Sequence, residues 1–124
     1  MAIIGAKGQV GQEFLRQMIG SEVVAYDREE VDVCDGEAVR DVVSRSGCDV
    51  LVNLAAFHNV NECESDPEKA FRVNVLGAAN IARCAGRDRL VVFFSTDYVF
   101  GGYVQRREPY VETDHGSPLN IYGA

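Results

Sequence analysis

The 124-residue sequence predicts an α/β fold built on a doubly wound parallel sheet. Three observations predict it. Short apolar runs alternate with stretches of helical periodicity, and a glycine-rich turn stands between the first run and the first helix. The last run, Leu90-Val91-Val92-Phe93-Phe94, is apolar on both faces, as a parallel strand covered by helices must be. Strands joined through helices by right-handed crossovers place helices on both faces of one sheet.

Taken in order, Ala2-Ile3-Ile4 is the first strand and ends at Gly5. Val10, Phe14, Leu15, Met18 and Ile19 recur at the spacing of one helix face and are expected to point inward. Val23-Val24-Ala25-Tyr26 is a second buried strand, and residues 27–35 are a polar connection to a short helix with Ala38, Val39, Val42 and Val43 inward. The third strand lies within residues 49–56, around Val50-Leu51-Val52, with an irregular stretch after it through Glu64. Ser65-Asp66-Pro67-Glu68 is a helix start, because a side-chain oxygen caps free N–H groups and proline suits the first helical position. That helix carries Ala70, Phe71, Val73, Ala78, Ile81, Ala82 and Ala85 and stops near Gly86, before the fourth strand at residues 90–94. After Ser95 the glycines at 101 and 102 and the prolines at 109 and 118 mark a loop. Repeats, low-complexity tracts and linkers are lacking, so one domain spanning residues 1–124 is expected.

A hydrophobic content of 47% suffices for one continuous core, while the net charge of −7 opposes a nucleic-acid partner, which needs clustered cations. The longest apolar runs fall far below the roughly 20 residues that span a bilayer, and the N-terminus carries no basic leader. A cytoplasmic protein without a membrane partner is expected. Cys34, Cys48, Cys63 and Cys84 form no CxxC pair and do not interleave with histidine, so reduced thiols are expected rather than a zinc site. His58 and His115 lack an i, i+4 companion and are expected in loops; no metal site is predicted.

Gly5-Ala6-Lys7-Gly8-Gln9-Val10-Gly11 has the GxxGxxG pattern between strand and helix. Glycines permit a tight turn and close backbone approach, so that helix N–H groups and the positive dipole end face a pyrophosphate. Asp27 falls at the end of the second strand, 22 positions after Gly5, where a carboxylate binds adenosine ribose hydroxyls. Arg28 follows it directly. A guanidinium there pairs with a 2′-phosphate or is a solvated surface charge, so NADP(H) and NAD(H) both stay open as cofactor.

Ser95-Thr96-Asp97-Tyr98-Val99-Phe100 and Pro118-Leu119-Asn120-Ile121-Tyr122-Gly123 resemble the dTDP-4-dehydrorhamnose reductase family of extended short-chain dehydrogenases. The likeness continues through Asp27-Arg28-Glu29-Glu30-Val31-Asp32-Val33-Cys34-Asp35, Val52-Asn53-Leu54-Ala55-Ala56 and Asn74-Val75-Leu76-Gly77, covering essentially the whole chain. The resemblance implies a Rossmann-type domain and reduction of the 4-keto group of a dTDP-linked 6-deoxy sugar, giving dTDP-rhamnose. It implies that Thr96 polarises the carbonyl and Tyr122 donates the proton, with Asp97 and Tyr98 near substrate. It adds Asp35, Ala55, Ala56 and Asn74 to the cofactor contacts, Asn74 through hydrogen bonds to backbone.

A phenol of ordinary pKa near 10 needs a neighbouring cation to act at neutral pH. In the family that cation is a lysine four positions after the tyrosine. Here that position is 126, after Ala124, so the resemblance implies a sheet truncated after about four strands, no substrate domain and negligible turnover by this chain alone. His58 and Asn61 depart from the family's usual threonine and aspartate. Two other functions fit the same domain: a nucleotide-sugar epimerase or dehydratase, and a non-catalytic dinucleotide-binding subunit. The outer edge of the fourth strand is expected either to recruit a second copy or to be covered by residues 101–124 through Tyr103, Val104, Tyr110 and Ile121.

Overall fold

The computed structural model describes residues 1–102 and 106–124. Strands β1 (Ala2–Ile4), β2 (Val24–Tyr26), β3 (Val50–Asn53) and β4 (Leu90–Phe93) form one sheet in the order β2-β1-β3-β4, and every pairing is parallel. Helices α1 (Gln9–Gln17), α2 (Gly36–Ser46), α3 (Val60–Ser65), α4 (Pro67–Ala70) and α5 (Gly77–Ala85) complete the layers, with a π-helical segment, Phe71–Leu76, joining α4 to α5. This is the expected doubly wound, Rossmann-type arrangement.

The pleat of the strands divides the core in two. Ala2, Ile4 and Leu51 face α2 and α5 through Val39, Val42, Val43, Ile81 and Ala85. Ile3 and Val52, which are paired across β1 and β3, face the opposite side with Phe14 and Leu15 of α1. Alternate residues of a strand point to opposite faces, so an all-apolar strand needs a helix on each side. Ile3, Leu51 and Ile81 are completely buried, and each such side chain contributes about 1.5–3 kcal/mol by leaving water.

Several expectations are corrected. Residues 60–65, read as irregular, form α3, because Asn59 Oδ1 accepts the Glu62 N–H at 3.1 Å and caps it. Phe71 is exposed, since it lies about 100° around the helix from buried Ala70. Ala82 is likewise exposed beside buried Ile81. Val10 and Ile19 are exposed too: Val10 sits in the first turn beyond the sheet, and Ile19 follows Met18, where α1 has ended. Val24 is exposed on edge strand β2, and Leu90, Phe93 and Phe94 are at least half exposed at β4, so neither is the covered strand that apolar composition suggests. All four cysteines are free thiols. Among the described residues no helix is long and apolar enough to cross a membrane.

Candidate functional site: a cleft at the sheet switch point

Strand order reverses between β1 and β3, so the loops that leave their carboxyl ends separate and open a crevice. Gly5, the first glycine of the turn, lines it, while Gly8, Gln9, Val10 and Gly11 lie outside its lining. Gly5 has φ +89°, a conformation that L side chains rarely adopt, and a Cβ there would stand 2.6 Å from the Ala55 nitrogen. At Gly11 a Cβ would stand 2.6 Å from the Ala6 carbonyl oxygen, which explains the demand for glycine at both ends of the turn. Gly5 and Ala6 donate to the Tyr26 carbonyl oxygen at 2.9 and 3.0 Å, Gly8 donates to Gly5, and the Gln12 amide donates to the Lys7 carbonyl at 2.8 Å. Gly8 is the N-cap residue of α1 and lacks a side-chain cap, so the first helical N–H groups of the nine-residue helix, with Gln9 and Val10 exposed, are uncapped by protein side chains.

A cleft of about 330 Å³ opens beside this turn, lined by Gly5, Asp27, Arg28, Val31 to Cys34, Ala55 to Phe57, Lys69, Arg72 and Val73. Five of the residues named from sequence therefore meet there: Gly5, Asp27, Arg28, Ala55 and Ala56. Asp27 is held from both sides. Its Oδ1 accepts the Glu29 N–H at 2.7 Å, while Oδ2 pairs with the Lys7 ammonium at 2.5 Å. The Lys7 ammonium also pairs with Glu29, at 2.8 Å. These contacts hold the Asp27 carboxyl below its ordinary pKa, chiefly through Lys7, and raise that of Lys7, chiefly through Asp27, so both stay charged at neutral pH. Burial and the neighbouring Asp32 push the Cys34 thiol up, which keeps it protonated at the cleft wall.

Asn74 lies within the π segment and makes two reciprocal bonds to one residue: its Nδ2 donates to the Phe57 carbonyl at 3.0 Å and its Oδ1 accepts the Phe57 N–H at 2.8 Å. It thereby fixes the loop after β3 that forms one wall of the cleft. Buried Asn53 does the same one step earlier, accepting the Ala55 N–H at 3.0 Å. Asp35 is placed differently from its cleft neighbours. It is the N-cap of α2, its Oδ1 accepting the Glu37 and Ala38 N–H groups, and it does not line the cleft.

The second group of sequence-named residues gathers after β4. Thr96 Oγ1 accepts the Tyr98 N–H at 3.2 Å and caps a short 3-10 turn, Asp97–Val99. Asp97 and Tyr98 are exposed on that turn. The Tyr98 ring meets the Tyr122 ring edge-on, 5.7 Å between centroids, and a Cβ on Gly123 would collide with the Tyr98 carbonyl. Tyr122 is therefore seated against the Thr96 turn although 26 positions separate them.

Glu64 accepts the Ile121 N–H at 2.7 Å and ties that seat to α3. Neither Glu64 nor the Lys7 bridge follows from composition or periodicity; the position of Lys7 inside the glycine turn, opposite an acid, is the one signal that points to it. Lys69 and Arg72 were also unforeseen in the cleft wall, where Lys69 rests over the Phe57 ring at 4.2 Å.

The whole chain, residues 1–124, matches the family model described as the RmlD substrate binding domain. A dTDP-4-dehydrorhamnose reductase of Mycolicibacterium smegmatis is 40% identical over 99% of this chain and 38% of its own length. A crystal structure of dTDP-4-dehydrorhamnose reductase from Bacillus anthracis, in complex with NADP, superposes with a TM-score of 0.91 at 30% identity, covering 98% of this chain and 44% of that one. The UDP-glucose 4-epimerase of Thermus thermophilus, complexed with NAD, gives a TM-score of 0.87 at 26% identity, over 98% and 45% of the two chains. The chain thus spans about two-fifths of the length of the curated relatives it matches.

Proposed function

This chain belongs to the RmlD substrate-binding domain family, and from that premise we propose that it is the dinucleotide-binding part of a reductase acting on a nucleotide-linked keto-sugar. The proposed reaction is transfer of hydride from NADPH or NADH to the 4-keto carbon of a dTDP-linked 6-deoxy sugar, with dTDP-4-dehydrorhamnose giving dTDP-rhamnose. The observation that carries the reading is the meeting of Gly5, at the start of the glycine turn, with Asp27 in one cleft at the strand-order reversal. Pyrophosphate belongs at the uncapped start of α1 and the adenosine ribose at Asp27.

Within this reading, Thr96 polarises the carbonyl oxygen and Tyr122 supplies its proton as hydride arrives, with Asp97 and Tyr98 toward the sugar. Gly5, Gly8, Gln9, Val10 and Gly11 present backbone to the pyrophosphate, Ala55 and Ala56 form the cleft wall, and Asn74 acts through Phe57. The proposed compartment is the cytoplasm, where a nucleotide sugar and a reduced nicotinamide are both at hand. Likeness to an NAD-bound epimerase favours one other reading, in which the cofactor is reoxidised within each cycle and none is consumed.

Calorimetric titration of the folded chain with NADH and NADPH tests the binding claim, with heat expected for at least one. Absence of heat for both removes it.

A further inference from the structure

We infer that Glu64 is a positioning residue for the proposed proton donor: its carboxylate, reaching from α3 to the Ile121 N–H, holds the turn that carries Tyr122 in a fixed place relative to the wall of the dinucleotide cleft. The inference rests on the reading of Tyr122 as the general acid.

Residues 120–124 form a single turn, in which the Ala124 N–H donates to the Asn120 carbonyl at 3.2 Å and Asn120 Oδ1 accepts the Gly123 N–H at 2.9 Å. The N–H groups that open such a turn have no partner within its own ladder. At Ile121 the partner comes from elsewhere in the chain: Glu64 Oε1 accepts that N–H at 2.7 Å, across 57 positions. A bond this short to an ionised acceptor is the stronger, charge-assisted kind. It fixes the peptide plane that enters Tyr122, and with it the direction in which the Tyr122 side chain leaves the backbone. From the other side the turn is pressed on the stretch after β4, where Gly123 leaves room for the Tyr98 carbonyl and the Tyr98 and Tyr122 rings meet edge-on at 5.7 Å. Packing alone lets the turn swing away; the bond to Glu64 removes that freedom.

The anchor is itself held. Asn59 Oδ1 caps α3 by accepting the Glu62 N–H at 3.1 Å, and the completely buried Cys63 donates its S–H to the Phe57 carbonyl at 3.3 Å. That same Phe57 lines the cleft and is clamped by Asn74. Glu64, the residue after Cys63, therefore projects from a segment fixed to the cleft wall. Proton donor and dinucleotide are in this way referred to one frame, and a misplacement of about 1 Å between reacting groups costs on the order of 10²-fold in rate.

The test compares the unsubstituted chain with Glu64→Ala and Glu64→Gln, with thermal unfolding to confirm that each is folded. By NMR, Glu64→Ala is expected to lose the cross-relaxation between the Tyr98 and Tyr122 rings and to speed amide exchange at Ile121 by about 10-fold, the worth of one such hydrogen bond. Glu64→Gln, which keeps an oxygen acceptor, is expected to retain both. In a reductase that carries this chain, Glu64→Ala is expected to lower kcat by roughly 10-fold, with KM for dTDP-4-dehydrorhamnose and affinity for NADPH unchanged, and Glu64→Gln to stay within about 3-fold of the unsubstituted enzyme. Should Glu64→Ala not fold, Glu64→Leu keeps the stem without the acceptor and serves the same comparison. A retained ring contact, an undiminished kcat, or a loss shared by kcat, KM and NADPH affinity that Glu64→Gln does not rescue overturns the inference while leaving the role of Tyr122 in place. Undiminished turnover by Tyr122→Phe overturns that role and the inference together.

Discussion

Tyr122 shows how little freedom a single side chain keeps when its neighbours are counted. Its ring stands edge-on to Tyr98; the N–H before it is taken by Glu64; and the glycine after it leaves space for the Tyr98 carbonyl. Asn120 Oδ1 closes the turn by accepting the Gly123 N–H at 2.9 Å. Under the proposed role Tyr122 is a general acid, and catalysis of that kind contributes roughly 10²- to 10⁴-fold. In a reductase that carries this chain, Tyr122→Phe is therefore expected to lower turnover by about that factor while cofactor affinity is unchanged. Single-turnover oxidation of NADPH, run beside calorimetry, measures both, and undiminished turnover strips Tyr122 of the role. The motif around Tyr122 was legible in the chain; Glu64, 57 positions from Ile121, was not, because only folding brings that carboxylate to that N–H.

At the scale of elements, the run from Pro67 to Ala85 is the most informative. Asp66 accepts the Lys69 N–H at 3.0 Å and proline occupies the first turn, as the start signal in the sequence requires. Ala70, Gly77, Ile81 and Ala85 then form the buried face. Between them the π segment breaks the regular ladder, and Asn74 sits inside it. Such segments interrupt α-helices at functional sites because the wider turn re-aims a side chain. Here it accompanies the double bond of Asn74 to Phe57, which no periodicity announces.

Asn74→Ala leaves the partly buried Phe57 N–H and carbonyl without that partner, and is expected to cost about 1–2 kcal/mol. Denaturant unfolding of the chain measures this, and weaker dinucleotide binding is expected alongside it. Unchanged stability would show that Phe57 does not need the clamp.

At the scale of the whole molecule, one edge of the sheet stands open among the described residues. No described strand pairs with the outer edge of β4, and Leu90, Phe93 and Phe94 are 62%, 52% and 50% exposed. Residues 106–124 pack partly on themselves, Arg106 pairing with Asp114 at 2.8 Å, and partly on the stretch after β4, with Phe100 stacked on Tyr110 and Tyr98 against Tyr122. Tyr110 and Ile121 remain 46% and 38% exposed, so the covering segment anticipated from sequence is not formed by these two, and Tyr103 and Val104 lie outside the described residues. An open parallel edge flanked by apolar side chains recruits a like edge. Concentration-dependent self-association is accordingly expected, with a second copy along β4. Sedimentation over a range of concentrations tests it, and a cooperatively unfolding monomer at the highest concentration would exclude that partner.

Local features of the chain determined the architecture: apolar runs of strand length, helical spacing between them, glycines that the turn after β1 cannot replace, and Asp66-Pro67 at a helix start. Each acts within a few residues of itself, through sterics, hydrogen-bond capping or periodic burial, and so each is readable in one dimension. The bridge from Lys7 to Asp27 and Glu29, the Asn74 clamp on Phe57, the Glu64 contact with Ile121 and the exposure of β4 were decided by the tertiary structure. They depend on which loops the strand order β2-β1-β3-β4 brings to one end of the sheet and which strand it leaves at the edge. Contacts between a side chain and a backbone N–H 17 or 57 positions away carry no periodic signature, because their geometry exists only after the sheet has formed.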